Sequence, residues 1–450
     1  MVDESVFKAY DVRGIYPDSV NEDLAYKIGR ALVLFLKAKD IAIGMDMRTS
    51  SQALYENIAK GVTDQGANVH FIGMCPTPLL NFTVARYGYC GGVMISASHN
   101  PGQYNAFKLI QKPALQIGER TGMAGIKRLV LENKFGPKGK RGEVVHEDVL
   151  QQYLEHLRSF ANFSELKVVI DYGNGVGAIT GRPFFDKTKN KVVSLFKEPD
   201  GAFPNHPADP HNLKNYEALQ KEVRKHRADV GIFFDGDADR STFVDEEGEI
   251  IPADLSFCLQ ALDVLKLHKN QEVYFDLRFS KIVPEKIKKA KGIPIMEKVG
   301  NPIYKEKLIK EGGIIGGEFS GHVMYKDNYC IDDGLFSAVR FLNILAKAKL
   351  KGKTASQLIK PLQKYAHTPE INIKVKDNKD KEARVKVIME TYKEKGYEIS
   401  TLDGVTVSTN DWWFNVRKSN TEPIVRARIE AKNNTILEQV KAELLQHIQG

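Results

Sequence analysis

Residues 230–240 read Val-Gly-Ile-Phe-Phe-Asp-Gly-Asp-Ala-Asp-Arg, an apolar run that ends in alternating aspartates. The run from Val230 to Phe234 has the length and composition of a buried strand. Two further runs, beginning at Ile41 and Val168, have the same form, and each is followed directly by an aspartate. Ligands collect at the carboxyl ends of strands in α/β sheets. The pattern therefore predicts an α/β protein whose site lies at these strand ends.

Amphipathic stretches alternate with these short runs through most of the chain. Leu24, Ile28, Ala31 and Phe35 recur at helical spacing directly ahead of the Ile41 run. Because strands and helices alternate in this way, we expect α/β layers built on mixed or parallel sheets. A chain of 450 residues is long enough for about three domains of ordinary size.

The chain after residue 365 has a different pattern. Ile371 to Val375 predicts a strand, Val405 to Val416 predicts two more, and amphipathic helices lie between and after them. The inner faces of these helices carry Val385, Ile388, Met389 and Tyr392, and then Leu437, Val440, Leu444 and Ile448. Thr435 and Glu438 are spaced as a capping box for the last helix. We expect a small α+β domain, preceded by a hinge near Tyr365 to Pro369.

Composition and charge exclude several classes of protein. Hydrophobic residues make up 42% and charged residues 27%, as in globular proteins. The net charge of +8 comes from dispersed basic residues with no stripe of interleaved aromatics, so we expect no nucleic-acid partner. The longest apolar run, Ala31 to Leu36, is too short to span a membrane, and the N-terminus has no signal-peptide pattern. We expect a cytoplasmic protein.

The four cysteines, Cys75, Cys90, Cys258 and Cys330, lie far apart in the sequence. No C-x-x-C pair occurs, so the spacing predicts neither a disulfide framework nor a zinc site. We expect reduced, buried thiols.

The acidic loop Asp235-Gly-Asp-Ala-Asp-Arg240 offers three carboxylates at alternate positions, a hard-oxygen site suited to magnesium. An EF-hand begins similarly, and Glu246 falls at its twelfth position. However, Arg240 stands at the sixth position, where that loop needs glycine, and the flanks are strand-like. A solvated acidic turn is the remaining alternative, and it would place three like charges together without compensation.

A second loop, Ile95-Ser-Ala-Ser-His-Asn-Pro-Gly102, carries Ser98 beside His99 in a tight turn, and Lys108 follows shortly after. A serine exposed in this way is a candidate nucleophile. An ordinary Ser/Asn/Pro turn is the alternative. The stretch is not a G-x-S-x-G elbow, which argues against acyl transfer.

Two more loops carry groups suited to a phosphorylated sugar. Gly316-Gly-Glu-Phe-Ser-Gly-His322 combines flexible glycines with Glu318 and Ser320, which can pair with sugar hydroxyls; a structural glycine-rich turn is the alternative. Arg417-Lys-Ser-Asn-Thr-Glu-Pro423, followed by Arg426 and Arg428, is suited to cradle a phosphate; a polar hairpin loop is the alternative.

In this order, the loops resemble the α-D-phosphohexomutases, and within them the phosphomannomutase/phosphoglucomutase group. The resemblance covers essentially the whole chain. Phe7-Lys-Ala-Tyr-Asp-Val-Arg-Gly14 matches the family's opening motif, and Ser96-Ala-Ser-His-Asn-Pro101 matches its T-A-S-H-N-P, in which the second serine is phosphorylated. That serine is Ser98.

The resemblance implies a role for each matching residue. The catalytic residues would be Arg13, Ser98, His99, Lys108, Arg240 and His322. The metal would be held by Ser98, Asp235, Asp237 and Asp239. The substrate would be bound by Tyr10, Arg278, Asn301, Glu318, Ser320, His322, Arg417, Ser419, Asn420, Thr421 and Arg426.

The resemblance also implies the architecture: three similar α/β domains with mixed sheets and a C-terminal α+β domain, all around a central cleft. We expect domain I over residues 1–145 with the serine loop, and domain II over 146–249 with the metal loop. Domain III, over 250–364, would carry the sugar-recognition loop, and domain IV, over 365–450, the phosphate loop.

The activity implied is the interconversion of hexose 6-phosphate and hexose 1-phosphate, with mannose, glucose or both as the sugar. The reaction would pass through phospho-Ser98 and a hexose 1,6-bisphosphate, which serves as intermediate and activator, with Mg²⁺ as the cofactor. We expect a phosphosugar as the small-molecule partner and a monomer or weak homodimer. The alternatives are a phosphoglucosamine mutase, a metal-dependent sugar phosphatase and a catalytically silent sugar-phosphate sensor.

Four positions depart from the family's pattern. Phe319 stands where methionine is usual, and Arg278 where a lysine is expected. Asn301 replaces the histidine of a K-T-G-H motif, and Ala106 replaces a common glycine. These departures leave the phosphoryl-transfer residues intact and bear on the choice of sugar.

Overall fold

The computed structural model describes residues 2–137, 140–163, 165–419 and 423–449. Four β-sheets follow one another along the chain, and helices pack on each of them. The first three sheets mix parallel and antiparallel strands, whereas the fourth is antiparallel throughout. The prediction of three α/β units followed by an α+β unit is therefore confirmed.

The first unit contains a seven-stranded sheet. Its strands are β1 (Val12–Ile15), β2 (Asp40–Met45), β3 (Asn68–Met74), β4 (Gly91–Ile95), β5 (Tyr104–Gln111), β6 (Leu115–Gln116) and β7 (Val144–His146). Its helices are α1 (Glu22–Leu36), α2 (Ser51–Asp64), α3 (Thr77–Tyr87) and α4 (Met123–Glu132). The order is β1-β5-β4-β2-β3-β7, and β6 pairs with β5. The predicted apolar face of α1 is confirmed, because Leu24, Ile28 and Ala31 are buried.

The second unit contains a five-stranded sheet in the order β12-β11-β10-β8-β9. Its elements are α5 (Leu150–Phe160), β8 (Lys167–Asp171), α6 (Gly177–Phe185), β9 (Lys191–Leu195), α7 (Glu217–His226), β10 (Val230–Phe234), β11 (Ser241–Val244) and β12 (Ile250–Ile251). Both strands predicted here from apolar runs, β8 and β10, lie side by side in parallel at the centre of the sheet.

The third unit contains a four-stranded sheet in the order β14-β13-β15-β16. Its elements are α8 (Ala253–Leu267), β13 (Glu272–Asp276), α9 (Ile282–Lys289), β14 (Ile293–Glu297), α10 (Asn301–Lys310), β15 (Ile315–Gly317), β16 (Val323–Tyr325), α11 (Gly334–Lys349) and α12 (Ala355–Ile359). β13 is parallel to both β14 and β15, and β16 returns antiparallel to β15.

The fourth unit contains a six-stranded antiparallel sheet in the order β17-β22-β21-β20-β19, and β18 pairs with β22. Its elements are β17 (Ala366–His367), β18 (Ile371–Lys374), α13 (Asn378–Glu394), β19 (Ile399–Ser400), β20 (Val405–Ser408), β21 (Trp412–Lys418), β22 (Ile424–Ala431) and α14 (Asn434–Gln449). The predicted inner face of α14, from Leu437 to Ile448, is buried.

Two smaller expectations are wrong. The capping residue of α14 is Asn433, whose Oδ1 accepts from the Ile436 amide at 3.0 Å, so Thr435 lies already inside the helix. All four cysteines are free thiols, but Cys90 is only half-buried.

In the described part of the chain, no helix is both long and apolar enough to cross a membrane.

The four units share one feature that positions chemistry. Each sheet includes a loop that joins two neighbouring antiparallel strands and carries one of the sequence motifs: β4 to β5, β10 to β11, β15 to β16, and β21 to β22. The four motif-bearing loops of the sequence are these four loops. In the first three units the strand entering the loop also has a parallel neighbour, so the loop lies at the carboxyl edge of the parallel strands.

A buried polar network joins the second unit to the third. Tyr153 on α5 donates its hydroxyl to Asp333 Oδ2 at 2.9 Å. Asp333 also caps α11, because its Oδ1 accepts from the Phe336 amide at 3.0 Å, and Asn328 donates to Oδ2 at 3.1 Å. Burial raises the pKa of Asp333 to about 6, although the hydrogen bonds from Phe336, Tyr153 and Asn328 act to lower it.

Tyr153→Phe tests this network. The substitution removes one donor from a buried carboxylate, so we expect the free energy of unfolding to fall by about 1–2 kcal/mol. Urea unfolding followed by circular dichroism measures the change. Tyr87→Phe, at a 43% exposed tyrosine, is the matched control and should leave the midpoint in place. Equal midpoints for the two variants would show that the network contributes nothing.

Candidate active site

The serine loop between β4 and β5 presents one hydroxyl to its neighbours. Ser98 has φ of +53°, a left-handed conformation that is uncommon for serine and persists only where surrounding contacts hold it. Its amide donates to Ser96 Oγ at 3.0 Å, so the hydroxyl of Ser96 supports the turn. The Ser98 hydroxyl donates to Asp235 Oδ2 at 2.9 Å and accepts from Arg240 Nη2 at 3.0 Å.

Arg48, which the sequence analysis missed, supports the serine loop through hydrogen bonds to its backbone. Its guanidinium donates to a series of loop carbonyl oxygens, those of Ser98 (3.0 Å), Asn100 (2.6 Å), Pro101 (2.7 Å) and Tyr104 (3.0 Å). Asp46 fixes the guanidinium by accepting from its Nε at 3.0 Å. The signal was present in the sequence, because Asp46-Met-Arg48 directly follows the predicted strand β2.

The acidic loop between β10 and β11 faces the serine loop. Asp235, Asp237 and Asp239 are buried, and each offers a carboxylate oxygen within 4.8 Å of the others. Lys108 on β5 places its Nζ 2.6 Å from Asp237 Oδ2 and 2.7 Å from Asp239 Oδ2. Arg240 donates to Asp235 Oδ2 at 2.7 Å. The alternative of a solvated turn without compensation is therefore wrong, since the turn is buried and two cations compensate it.

Burial and charge separate the protonation behaviour of these groups. Burial, reinforced by the other two aspartates, raises the pKa of Asp235 to about 7 in spite of Arg240. Burial would raise the pKa of Asp237 as well, but Lys108 and the Thr77 hydroxyl hold it below its usual range. For Lys108, the two carboxylates outweigh burial and raise the pKa, so the ammonium stays charged.

Two carboxylate oxygens of the acidic loop have no hydrogen-bond donor among the described residues. The Oδ1 atoms of Asp237 and Asp239 are buried and accept no hydrogen bond from the residues that the structure describes. The cations nearest to Asp239 Oδ1, His322 Nδ1 at 3.6 Å and Arg240 Nε at 3.7 Å, lie beyond hydrogen-bond distance. A buried carboxylate oxygen without a donor is costly. Because three carboxylates are also the hard donors that divalent cations prefer, the loop fits a metal ion.

Glycine at position 236 permits the two loops to meet. A Cβ at this position would lie 2.5 Å from the carbonyl oxygen of Ser98, a distance that no side chain tolerates. The close approach that brings Ser98 to Asp235 therefore requires Gly236.

His99 and Arg13 lie on the serine side of the cleft. His99 Nδ1 is 3.2 Å from Ser98 Oγ and 2.6 Å from Arg240 Nη2. Burial, with Arg240 beside it, holds the pKa of His99 well below its usual value, so the neutral ring accepts from Arg240. Arg13 donates to Asp11 Oδ2 at 2.6 Å and to the side chain of Asn100, and so contacts the serine loop.

His322 connects the acidic loop to the third unit. Its backbone pairs with that of Arg240, and its Nδ1 lies 3.1 Å from Asp332 Oδ2. Asp239 and Asp332 outweigh burial and raise the pKa of His322 above its usual value. Asn301 donates to Asp332 Oδ2 at 2.7 Å and lies 3.4 Å from His322 Nδ1, so the residue that replaces the expected histidine shares this acidic partner.

The sugar-recognition loop between β15 and β16 combines a carboxylate and a hydroxyl. Glu318 Oε1 accepts from Arg278 Nη2 at 3.4 Å. Ser320 Oγ is buried and has no hydrogen-bond partner among the described residues. Phe319 lies with its ring 5.3 Å from the Arg278 guanidinium and 3.9 Å from that of Arg428. Two departures from the family's pattern, Arg278 and Phe319, are thus in contact with each other.

The phosphate loop follows β21. Arg417 Nη2 lies 2.7 Å from Glu370 Oε1, and Arg426 Nη1 lies 3.2 Å from Glu370 Oε2. Ser419 lies at the start of the loop and accepts from Lys381 Nζ through its carbonyl oxygen at 2.8 Å. Asn420 and Thr421 lie outside the described residues.

Tyr10 lies where the first and third units meet. Its hydroxyl is 3.5 Å from the carbonyl oxygen of Val299. A Cβ at Gly300 would lie 2.3 Å from that hydroxyl, so the tyrosine packs directly on the loop that precedes Asn301. Burial and the nearby Glu318 raise the pKa of Tyr10 to about 12, which keeps the phenol protonated.

The contacts run without a break from the serine loop to the phosphate loop. Ser98 meets Asp235, Arg240 meets His322, and Arg278 connects Glu318 to Glu370. Sequence reasoning missed three supporting residues besides Asp46: Arg48, Glu370 and Thr77, whose hydroxyl donates to Asp237 Oδ2. The arrangement offers a nucleophilic oxygen, a cation site and several guanidinium groups, which together suit phosphoryl transfer.

Known protein families agree with this arrangement. Four profiles described as phosphoglucomutase/phosphomannomutase match in order: alpha/beta/alpha domain I over residues 4–137, domain II over 151–248, domain III over 253–365 and the C-terminal domain over 370–447. Together they span most of the chain.

Individual relatives are similar over nearly their whole length. A phosphoglucomutase of Neisseria meningitidis is 35% identical, covering 97% of this chain and 95% of the relative. A phosphomannomutase of Escherichia coli is 34% identical, covering 98% and 97%. A crystal structure of a phosphoglucomutase/phosphomannomutase family protein of Burkholderia thailandensis superposes with a TM-score of 0.92 at 30% identity, covering 100% and 98%. This chain belongs to the phosphoglucomutase/phosphomannomutase family.

Proposed function

We propose that this protein is a phosphohexomutase that interconverts hexose 6-phosphate and hexose 1-phosphate, with glucose, mannose or both as the sugar. The observation that carries the proposal is the environment of the Ser98 hydroxyl, which lies between Asp235 and Arg240 at the junction of two sheets. The names of the relatives, phosphoglucomutase and phosphomannomutase, support the same reaction.

The reaction we propose consists of two opposite transfers. Phospho-Ser98 first gives its phosphoryl group to the free hydroxyl of the hexose monophosphate: the P–Oγ bond breaks, a P–O bond to the sugar forms, and the hydroxyl proton passes to a base in the cleft. The hexose 1,6-bisphosphate then reorients in the cleft, and its other phosphoryl group is transferred to Ser98. The added bisphosphate would also act as an activator, by recharging dephosphorylated Ser98.

The positive groups around Ser98 support this chemistry. Arg240, which donates to Ser98 Oγ, would stabilise charge on the transferring group. Arg13 and His99 contact the same loop and would orient it. Lys108 and His322 are candidates for moving the proton: His322 lies next to Asp239, and Lys108, whose ammonium stays charged between two aspartates, would act as the donor.

We propose Mg²⁺ as the ion of the acidic loop, held by Asp235, Asp237, Asp239 and an oxygen of phosphorylated Ser98. The unsatisfied Oδ1 atoms of Asp237 and Asp239 support this assignment. When bound, the ion would neutralise charge on the transferring phosphoryl group. Lys108 would contribute to the same neutralisation from the side of β5.

The remaining cleft residues would bind the substrate. Glu318 and the buried hydroxyl of Ser320, which has no partner in the described part of the chain, suit paired hydroxyls of the sugar in either orientation. Arg417 and Arg426, with Ser419, Asn420 and Thr421, would hold the phosphate that is not reacting. Tyr10, Arg278 and Asn301 complete the proposed wall of the cleft.

The domain limits, compartment and assembly are part of the same proposal. Domains I to IV would extend over residues 1–145, 146–249, 250–364 and 365–450. The four sheets follow these ranges except at two limits, where β7 (Val144–His146) crosses the first and β12 (Ile250–Ile251) lies just beyond the second. Four free cysteines suit a reducing cytoplasm. We propose a monomer or weak homodimer.

Ser98→Ala tests the nucleophile. We expect the intact mass of the active enzyme to fall by about 80 Da beyond the side-chain difference, the mass of a lost phosphoryl group. Mutase turnover of glucose 1-, mannose 1- and glucosamine 1-phosphate, assayed side by side, should fall at least about 10³-fold. Ser96→Ala is the control and should keep the phosphoryl mass. A mass lost with Ser96 instead would contradict the assignment, and stoichiometric release of free phosphate by the wild type would identify a phosphatase.

Asp237→Asn tests the metal loop. We expect kcat to fall by roughly 10²-fold or more and the magnesium requirement to rise, because one ligand loses its charge. The midpoint of thermal unfolding should fall slightly, since Lys108 loses one of its two carboxylates. Titration of activity with MgCl₂ after EDTA treatment measures the requirement. Asp263→Asn, at a surface pair with Lys266, is the control and should behave as wild type. Full activity of Asp237→Asn in EDTA would refute a metal role.

Arg48→Lys tests the support of the serine loop. A lysine cannot reproduce the planar array of donors that Arg48 directs at four carbonyl oxygens. We expect kcat to fall about ten- to hundredfold with little change in KM, because the nucleophile is misplaced while the substrate contacts remain. Arg30→Lys is the control: Arg30 donates to Gln65 at 2.8 Å and should tolerate the change. A normal kcat would show that the loop keeps its shape without Arg48.

A further inference from the structure

Two arginines of the fourth sheet face each other across neighbouring strands. Arg417 on β21 and Arg426 on β22 are direct partners in the antiparallel register. Like charges directly opposite each other destabilise a strand pair unless an anion lies between them. The position therefore needs a negative group whether or not a substrate is present.

Glu370 is that negative group in this structure. Its Oε1 lies 2.7 Å from Arg417 Nη2 and 3.7 Å from Arg278 Nη1, and its Oε2 lies 3.2 Å from Arg426 Nη1. The side chain is only 20% exposed. A single carboxylate thus contacts three guanidinium groups, drawn from the third and the fourth units.

The arginines around Glu370 differ in how far they depend on it. Arg278 is already paired with Asp276, through Nε at 2.9 Å, and with Glu318 at 3.4 Å. Arg417 and Arg426 share Glu370 across the strand pair, one on each of its carboxylate oxygens. A phosphate monoester carries more negative charge than one carboxylate and offers three oxygens, which match guanidinium donors better.

We propose that Glu370 is an internal anion that holds the arginine sites before substrate binds, and that the non-reacting phosphate of the sugar competes with it for Arg417 and Arg426. The inference rests on the proposed function. Glu370 is therefore a positioning residue. It holds the side chains of Arg417 and Arg426 in place before substrate binds, and phosphate replaces it as their partner.

The location of Glu370 gives the exchange a mechanical consequence. The residue lies between β17 and β18, at the beginning of the fourth sheet and next to the predicted hinge at Tyr365 to Pro369. Its contact with Arg278 ties the fourth unit to the third. When phosphate takes the two arginines, Glu370 is left with Arg278, so phosphate binding alters the contact that joins the fourth unit to the third.

A binding experiment separates competition from simple support. In a Ser98→Ala background, where no transfer can occur, glucose 1-phosphate and inorganic phosphate are titrated by calorimetry. Glu370→Gln keeps the shape but removes the competing charge, so we expect both ligands to bind about five- to tenfold more tightly. Glu370→Asp keeps the charge and should bind both about as tightly as the parent does. Glu438→Gln, at an exposed partner of Lys441 on α14 of the same unit, removes the same charge away from the phosphate loop and should leave affinity unchanged.

Thermal unfolding provides the second measurement. Without phosphate, Glu370→Gln should unfold at a lower temperature than the parent, because the facing arginines lose their anion, and added phosphate should raise its midpoint more than that of the parent. Weaker or unchanged phosphate binding by Glu370→Gln would overturn the proposal and show that Glu370 only supports the arginines. Failure of the proposed function has a different signature: the parent would bind inorganic phosphate without binding glucose 1-phosphate.

Discussion

The buried acidic loop sets the main constraint on this structure. Moving a carboxylate out of water costs several kcal/mol unless a cation is paired with it, and here three carboxylates are buried together. The compensating charges come from two places: Arg240 from the loop itself and Lys108 from β5 of the first sheet. Because Lys108 reaches across, its two ion pairs join the first sheet to the acidic loop of the second in this packing. That packing brings Ser98 to within 2.9 Å of Asp235.

The same kind of pairing continues through the cleft, and successive links come from different sheets. His322 of the third unit lies between Asp239 and Asp332. Arg278 then joins Glu318 to Glu370, which reaches the arginines of the fourth sheet. Alternating charges of this kind depend on relative position, so binding of one anion or cation changes the balance at its neighbours. A reaction that moves a phosphoryl group between two positions suits such a cleft, because the group carries its charge with it.

Two departures from the family's pattern make physical sense as a pair. A guanidinium is planar and delocalised, and it stacks on an aromatic face as an ammonium does not. Arg278 lies over Phe319 at 5.3 Å, and Arg428 lies over the same ring at 3.9 Å. An arginine in place of lysine and a phenylalanine in place of methionine therefore support each other. They also join the sugar-recognition loop to the fourth unit.

Features that depend on residues close together in the chain could be predicted before the fold was known. Strand-length apolar runs ending in aspartate predicted β2, β8 and β10, helical spacing predicted α1, and the spacing of Asp235, Asp237 and Asp239 predicted a cation site. The distant groups that complete the site could be identified only from the folded chain. Arg48 supports a loop about fifty residues away, Lys108 pairs with carboxylates more than a hundred residues away, and Glu370 contacts arginines of separate units. Such contacts leave no local pattern, because the fold that creates them brings together segments whose separation along the chain carries no periodic signal.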